Sequence, residues 1–290
     1  MIAPGGLYVV ATPIGNLGDM SRRALAVLAQ VDIIACEDTR STRVLLDHYG
    51  IQTPTLALHD HNELAQTGPL LARLRSGDAV ALVSDAGTPL ISDPGYRLVA
   101  AARNAGLAVH PIPGACAAIA ALSAAGLASD RFCFEGFLPP KPAARRARLA
   151  QLAGEPRTLI LYESSHRIVD TLADLVAAFG AARPAVLARE LTKRFETFLG
   201  PDLAGIAASL AADRDQRRGE FVLVIAGNPD PDAAALALGR RIHAALAGEL
   251  SPSRAARIAA EISGASRRAL YAGRDGSADA DADADRVAET

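Results

Sequence analysis

Lys141 and Lys193 are the only lysines among 30 basic side chains, and each sits in a distinctive stretch, "FLPPK" and "RELTKRFET". Arginine keeps its proton in any protein site, whereas a desolvated lysine can release it, so a site that needs a neutral amine as proton acceptor has only these two to use. An arginine-rich coding bias explains the scarcity of lysine but not the places where the two remain. A second proton-accepting set lies in "ESSHR", where Glu163 and His166 stand beside Arg167 at a strand-to-helix junction. Ser164 or Ser165 in the same stretch also suits a helix cap. "EDTR" groups Glu37, Asp38 and Arg40, a set fit for a polar substrate and equally for a local ion pair. "HDHNE" (59–63) offers His-x-His with no third ligand spaced to it, so no metal is expected.

These residues need elements to hold them. Apolar, β-branched runs at 7–11, 31–35, 55–58, 79–83 and 108–112 alternate with segments of helical spacing. The helical segments are "SRRALAVLAQ" with Ser21 placed as a cap, then "TRVLLDHYG", "PLLARLRSG" and "PGYRLVAAARNAG", each closed by a glycine. Such alternation predicts a parallel sheet covered on both faces, with a ligand beyond the carboxyl ends of its strands. Three loops then share one rim: 12–19, 36–42 and 84–95. The last, "SDAGTPLISDPG", is rich in Gly and Pro, but neither G-x-x-x-x-G-K-[ST] nor G-x-G-x-x-G is present. The P-loop and dinucleotide readings are therefore excluded.

After "HPIPGACAA" the pattern restarts with a helix at 116–125 and strands near 131–137, 158–163, 184–189, 195–199 and 220–226. Helices are expected at 143–153, 165–179 and 202–213, giving a second α/β domain with a mixed sheet. "GNPDPDA" (227–233) reads as a linker by its prolines, and "SPSRAARIAAEISGASRRALYAG" as helix, Gly264 turn, helix. The division expected is thus 1–113, 114–228, a basic module at 229–274 and a low-complexity, disordered acidic tail at 275–290. The overall charge of −2 hides a contrast between the last two. Residues 239–274 hold seven arginines against two glutamates, a net +5, and the tail holds six acids against one arginine, a net −5. Three widely spaced cysteines make no C-x-x-C pair, and no apolar run is long enough for a membrane span. A cytoplasmic protein is expected.

The loops also carry a resemblance. "YVVATPIGNLGDMSRRAL", "IIACEDTRSTRVLL", "LVSDAGTPLISDPGYRLV", "PIPGACAAIAALSAAGL", "FEGFLPPK", "LYESSHRI" and "GEFVLVIAG", in this order from Leu7 to about Gly227, closely resemble the tetrapyrrole-methylase superfamily. Within it they are similar to the branch that methylates a cytidine 2'-hydroxyl in the decoding region of 16S rRNA, whose C-terminal extension the basic module also resembles. The resemblance implies two α/β domains of that type with S-adenosylmethionine in the cleft between them, a homodimer, and the small ribosomal subunit as partner. By position it assigns Pro13, Gly87, Thr88, Ile91, Cys116, Ala117, Tyr162 and Glu163 to the cofactor. Glu37, Asp38, Arg40 and Arg167, with Arg254, Arg257, Arg267 and Arg268 of the module, are then candidates for substrate contact. Lys141, Lys193, Glu163 and His166 are candidates for taking the hydroxyl proton.

One departure bears on the substrate. Where porphyrin-directed relatives have G-D-P-x-x-[FY], this chain has Gly87-Thr88-Pro89, so Thr88 replaces an acid and the loop loses a negative charge that would repel a polyanion. Two rival readings are a corrinoid or porphyrin methylase of the same fold and a DNA-binding regulator that senses S-adenosylmethionine. Thr88 and the arginine-rich module count against the first, because a small substrate requires neither. Methyl incorporation into purified 30S subunits separates all three.

Overall fold

Short β-branched runs separated by capped helices fold as their alternation requires. The computed structural model describes residues 2–271. Strands β1 (Leu7–Val10), β2 (Ile33–Cys36), β3 (Thr55–Ala57), β4 (Val80–Val83) and β5 (Val109–Ile112) form a sheet in the order β3-β2-β4-β1-β5, with every pairing parallel. Helices α1 (Arg22–Leu28), α2 (Thr39–His48), α3 (Glu63–Arg75) and α4 (Tyr96–Asn104) complete this half. Alternate strand residues bury to opposite faces: Val10, Ile34 and Ala81 pack with Val27, Leu28 and Leu46, whereas Leu7, Ala35 and Leu82 pack with Leu70, Leu74 and Leu98.

Polar caps fix where the helices begin. Ser21 accepts the amide of Ala24 at the start of α1, and Asp38 accepts that of Arg40 at the start of α2. Helix α4 is capped from a distance. Gly95, at φ 118°, brings no side chain, and the buried carboxylate of Glu63 reaches from α3 to the amides of Arg97 and Leu98. This is the work of "HDHNE": Asn62 holds the His59 amide and the Ala57 carbonyl, and α3 starts at Glu63, ahead of "PLLARLRSG" and with Pro69 inside it.

Strands β6 (Phe132–Phe137), β7 (Thr158–Ser164), β8 (Ala185–Arg189), β9 (Thr197–Leu199) and β10 (Glu220–Ile225) form the second sheet, in the order β6-β7-β10-β8-β9. It is mixed, since β6 and β7 are parallel and the other pairs antiparallel. Helices α6 (Pro142–Leu152), α7 (Ile168–Phe179) and α8 (Leu203–Ala212) bury Leu149, Leu172, Leu175 and Ile206 on one face. The other face is covered by α5 (Ala117–Ala124), whose Ala118, Ala121 and Leu122 lie on Ile160, Val222 and Val224. Ile14, from a loop of the first sheet, packs into the same cluster. The two halves therefore share one apolar seam.

The C-terminal module differs from expectation. Strand β10 leads into α9 (Pro231–Leu246), followed by α10 (Pro252–Ser263) and α11 (Arg267–Tyr271), so three helices stand where two were read. The last three residues of the supposed linker are helical because Pro231 occupies the first helical position, where its missing N–H costs nothing. Gly264, at φ 77°, ends α10 as its sequence position suggests. The expected acidic tail at 275–290 lies outside the described residues. Gly239 lets α9 approach its neighbours: a Cβ there would stand 2.7 Å from Ser263 Oγ and 2.8 Å from Leu270 Cδ2. Gly239→Val should therefore loosen the module by about 1–3 kcal/mol, the cost of overpacking. Limited proteolysis should then cut within 231–271 faster than in wild type while the two-sheet body stays resistant.

Candidate active site between the two sheets

The chain leaves β1 and β4, neighbours in the first sheet, toward opposite sides, which opens a crevice beyond their carboxyl ends. Two loops meet there and are tied together. Thr12 N donates to Gly87 O at 2.8 Å, Gly87 N donates back to Thr12 O at 3.2 Å, and Thr12 Oγ1 reaches the carbonyls of Ser84 and Gly87. Gly87 sits at φ 86°, a conformation L side chains rarely adopt. Thr88 Oγ1 then donates to Ala115 O at 2.9 Å, pinning the loop to the segment that enters α5. Backbone strain gathers in two loops around the crevice: Leu90 and Ser92 on either side of Ile91, and Glu190 and Thr192 on either side of Leu191, all have positive φ without being glycine.

A cavity of about 390 Å³ lies between the sheets. One wall is the β4 loop with Gly87, Thr88, Ile91, Ser92 and Asp93, the other is Tyr162 to Ser165 with Leu191 and Glu220, and Cys116 and Ala117 of the α5 turn lie between. The Tyr162 hydroxyl accepts the Ala118 amide at 3.1 Å, and burial, then the neighbouring Cys116, pushes its ionisation up. Asp93 is the unusual acid here. Burial pushes its carboxyl up to about 6; a hydrogen bond with Ser84 opposes this, and the charges of Glu37, Asp85 and Asp60 add to it. Glu37 is raised for the same reasons, burial first and then Asp85 and Asp60.

A second cavity, of about 440 Å³, adjoins the first. It is walled by Pro13, Ile14, Gly15 and Leu17, by Ser41, Thr42, Val44, Leu45 and His48 of α2, by Ser84 to Ala86, and by Lys193 and Glu220 of the second half. Tyr49, just past α2, donates its hydroxyl to Leu17 O and so fixes one side of it. Lys193 closes the other side. Its ammonium lies 2.9 Å from Glu190 Oε1 and 2.7 Å from Glu220 Oε2, and its stem rests where a Cβ on Gly15 would be.

Seven of the residues read as cofactor contacts (Gly87, Thr88, Ile91, Cys116, Ala117, Tyr162 and Glu163) line the first cavity, whereas Pro13 lines the second. The proton-acceptor candidates separate. Lys141 is exposed at the start of α6 and His166 is exposed, and neither lines either of these two cavities. Glu163 has its carboxylate taken up: it accepts Thr171 Oγ1 at 2.6 Å and the Ser164 amide, and pairs with Arg167. Arg167 in turn clamps the carbonyls of Leu138 and Pro139, which holds the "FLPPK" loop, and it lines neither cavity. Burial would pull Lys193 down, but hydrogen bonds to Glu220 and Glu190 raise it above its usual value, so the free protein holds a charged ammonium there.

Asp38 and Arg40 pair with each other at 3.0 Å beside the α2 cap, with Glu37 next to them. Arg254, Arg257, Arg267 and Arg268 are exposed on α10 and α11. The argument from Thr88 needs correction: one acid is missing from the loop, but Asp85, Asp93 and Glu37 keep the rim acidic. Asp93 and Glu220 went unread in the sequence. The first stands in the quoted loop, but beside Pro94 and Gly95 it reads as turn chemistry.

Comparison with known proteins gives this geometry a class. The family described as Tetrapyrrole (Corrin/Porphyrin) Methylases matches residues 6–207, and the RsmI C-terminal HTH domain matches 232–272. Similar solved structures include diphthine synthase (TM-score 0.56, 18% identity, 76% of this chain and 90% of that one). The methyltransferase CobJ is another (TM-score 0.56, 21% identity, 78% and 98%). The chain belongs to the tetrapyrrole methylase family. Within it, the relatives named Ribosomal RNA small subunit methyltransferase I mark its branch. That of Xylella fastidiosa (strain Temecula1) is 59% identical over 273 residues, covering 94% of this chain and all of that protein. Those of Escherichia coli O157:H7 and Pseudomonas aeruginosa are 54% and 52% identical, over 92% and 93% of this chain and 93% and 96% of theirs.

Asp93 generates a prediction about stability. A carboxyl raised in the folded state favours the protonated fold, so its contribution is complete below about pH 4 and is lost as pH rises through about 6. Asp93→Asn should therefore be more stable than wild type at pH 7, by about 1 kcal/mol once solvent screening of a half-buried group is allowed for. The difference should vanish near pH 4. Urea unfolding of both proteins across this range checks it.

Proposed function

We propose that this chain is an S-adenosylmethionine-dependent methyltransferase that modifies a cytidine 2'-hydroxyl in the decoding region of 16S rRNA, acting in the cytoplasm as a homodimer on the small ribosomal subunit. The observation that carries the reading is the cavity between the sheets, lined by the residues whose motifs carried the family resemblance. The names of the relatives supply the rRNA.

The donor set suits that cofactor. Ile14, Ile91, Leu191, Phe137 and Val222 give apolar walls, and the loop amides of Thr12 and Gly87 are already used on each other, so the cavity is a poor cradle for phosphate. A sulfonium compound with an ammonium group asks instead for carbonyls and a carboxylate, and Asp93 provides the latter. Gly87, Thr88, Ile91, Cys116, Ala117 and Tyr162 would hold the cofactor, which when bound supplies an electrophilic methyl group. The protein's share is to place the acceptor in line, keep water away and take a proton. The exposed arginines of α10 and α11 supply the charge that RNA phosphates require, in place of the acidic rim.

Three outcomes follow. Purified small subunits lacking the ribose methyl should gain one when treated with this protein and labelled S-adenosylmethionine, and mass mapping should place it on a cytidine. No transfer, or transfer to a base atom, would overturn the reading. Gly87→Arg, which strains the loop and fills its approach to Ile14, should abolish cofactor binding in calorimetry while the fold persists by circular dichroism. Wild-type affinity for S-adenosylmethionine should rise several-fold from pH 5 to pH 7 as the Asp93 carboxyl ionises, and that of Asp93→Asn should stay flat.

A further inference from the structure

The two cavities share three wall residues, Ile14, Ala86 and Glu220. A transfer between two bound molecules must occur where their sites meet. Of the three, only Glu220 carries a group that can accept a proton. The other carboxylates are divided: Asp93 and Glu163 line the first cavity alone, and Asp85 the second alone. Glu220 is also positioned. It opens β10, its carboxylate bonds Lys193, and Lys193 is itself anchored by Glu190 and lies along Gly15.

The second cavity has the character of a nucleoside site. Apolar Leu17, Val44 and Leu45 offer a surface for a base, with Leu17 and Val44 exposed at 42% and 73%, and Ser41, His48 and Lys193 offer polar contacts. Such a cavity admits one unpaired nucleotide turned out of its strand. We propose that the second cavity receives the acceptor nucleoside of a single-stranded RNA segment, and that Glu220 takes the proton from its ribose hydroxyl. The proposal rests on the methyltransferase reading above. In the step, the hydroxyl oxygen forms a bond to the methyl carbon of the sulfonium donor, and the carbon–sulfur bond breaks with its electron pair going to sulfur. The hydroxyl proton passes to a Glu220 carboxylate oxygen. Lys193 keeps its bond to Glu190 while Glu220 is neutral, and the exposed acid returns the proton to water.

The test uses the full chain, purified small subunits and S-adenosylmethionine. Glu220→Gln should lower the single-turnover rate of methyl transfer by ~100-fold, with cofactor and subunit affinities within about threefold of wild type. Lys193→Gln removes the ion pair but leaves the carboxylate, and should cost about tenfold or less. Val44→Glu, at an exposed position, should weaken subunit binding by ~10-fold through repulsion of phosphate and leave the cofactor dissociation constant unchanged. A wild-type rate in Glu220→Gln overturns the base assignment, and equal losses in the Glu220 and Lys193 variants make the pair a brace. Loss of cofactor affinity in Val44→Glu gives the second cavity to the cofactor and overturns the acceptor site. Wild-type protein that leaves small subunits unmethylated would overturn the parent reading instead.

Discussion

The reciprocal backbone pair between Thr12 and Gly87 is the constraint on which the site depends. Parallel strands such as β1 and β4 end side by side, and their loops would diverge if nothing joined them. The pair, supplemented by the Thr12 hydroxyl, holds the loops at one spacing, and Thr88 extends the restraint to Ala115 and so to α5. Because α5 lies on the second sheet, the restraint also sets how the two halves meet. Both cavities are bounded by what it fixes: Gly87 and Thr88 on one side, Ile14 and Ala86 between, Pro13 and Asp85 on the other.

A small-residue helix makes this arrangement possible. Ala118 and Ala121 allow α5 to lie flat on β7 and β10, where larger side chains would hold it off and widen the crevice. The opposite face of the same sheet is built with bulk, from Leu149, Leu159, Leu161, Leu175 and Leu223, and carries a buried ion pair, Arg145 to Asp174 at 2.7 Å, between α6 and α7. One face of the sheet thus serves cohesion and the other closeness. The strained residues Leu90 and Ser92 follow β4, and Glu190 and Thr192 flank Leu191 after β8, so the strain falls in the two loops that bound the first cavity.

The alternation of β-branched runs with capped helices made the parallel sheet legible, because parallel strands bury both faces and leave continuous apolar stretches. The loop that walls the first cavity, 84–95, was legible through its Gly- and Pro-rich motif. Three things were not. Helix α9 went unread, its start hidden by Pro229 and Pro231, which read as linker although a proline can open a helix. Glu63 looked like part of a polar loop, and its capping of α4 is a contact across 34 positions that no local pattern reveals. Glu220 stands at the first position of an apolar strand and looks like solvent-facing punctuation. Its meaning arises from Lys193 and Gly15, contributed by loops far away in sequence. Conversely, Glu163 and Arg167 looked chemical and are used on each other and on the "FLPPK" loop.

Strand β10 acts as a ruler. It begins with Glu220 at the junction of the cavities and ends at Ile225, and after five further residues the chain enters α9 and then the arginine-bearing helices. At about 3.3 Å per residue, the six residues of the strand set the cavity junction roughly 17–20 Å from the end at which the chain turns toward the module. Under the reading proposed above, an RNA that engages both the cavity and the module spans a separation of that order while presenting one nucleotide at the cavity. A free nucleoside has no such reach, and a folded RNA with distant helices brought together has it built in. On that reading, selectivity resides in the shape of the RNA as a whole, with the cavity checking a single residue of it.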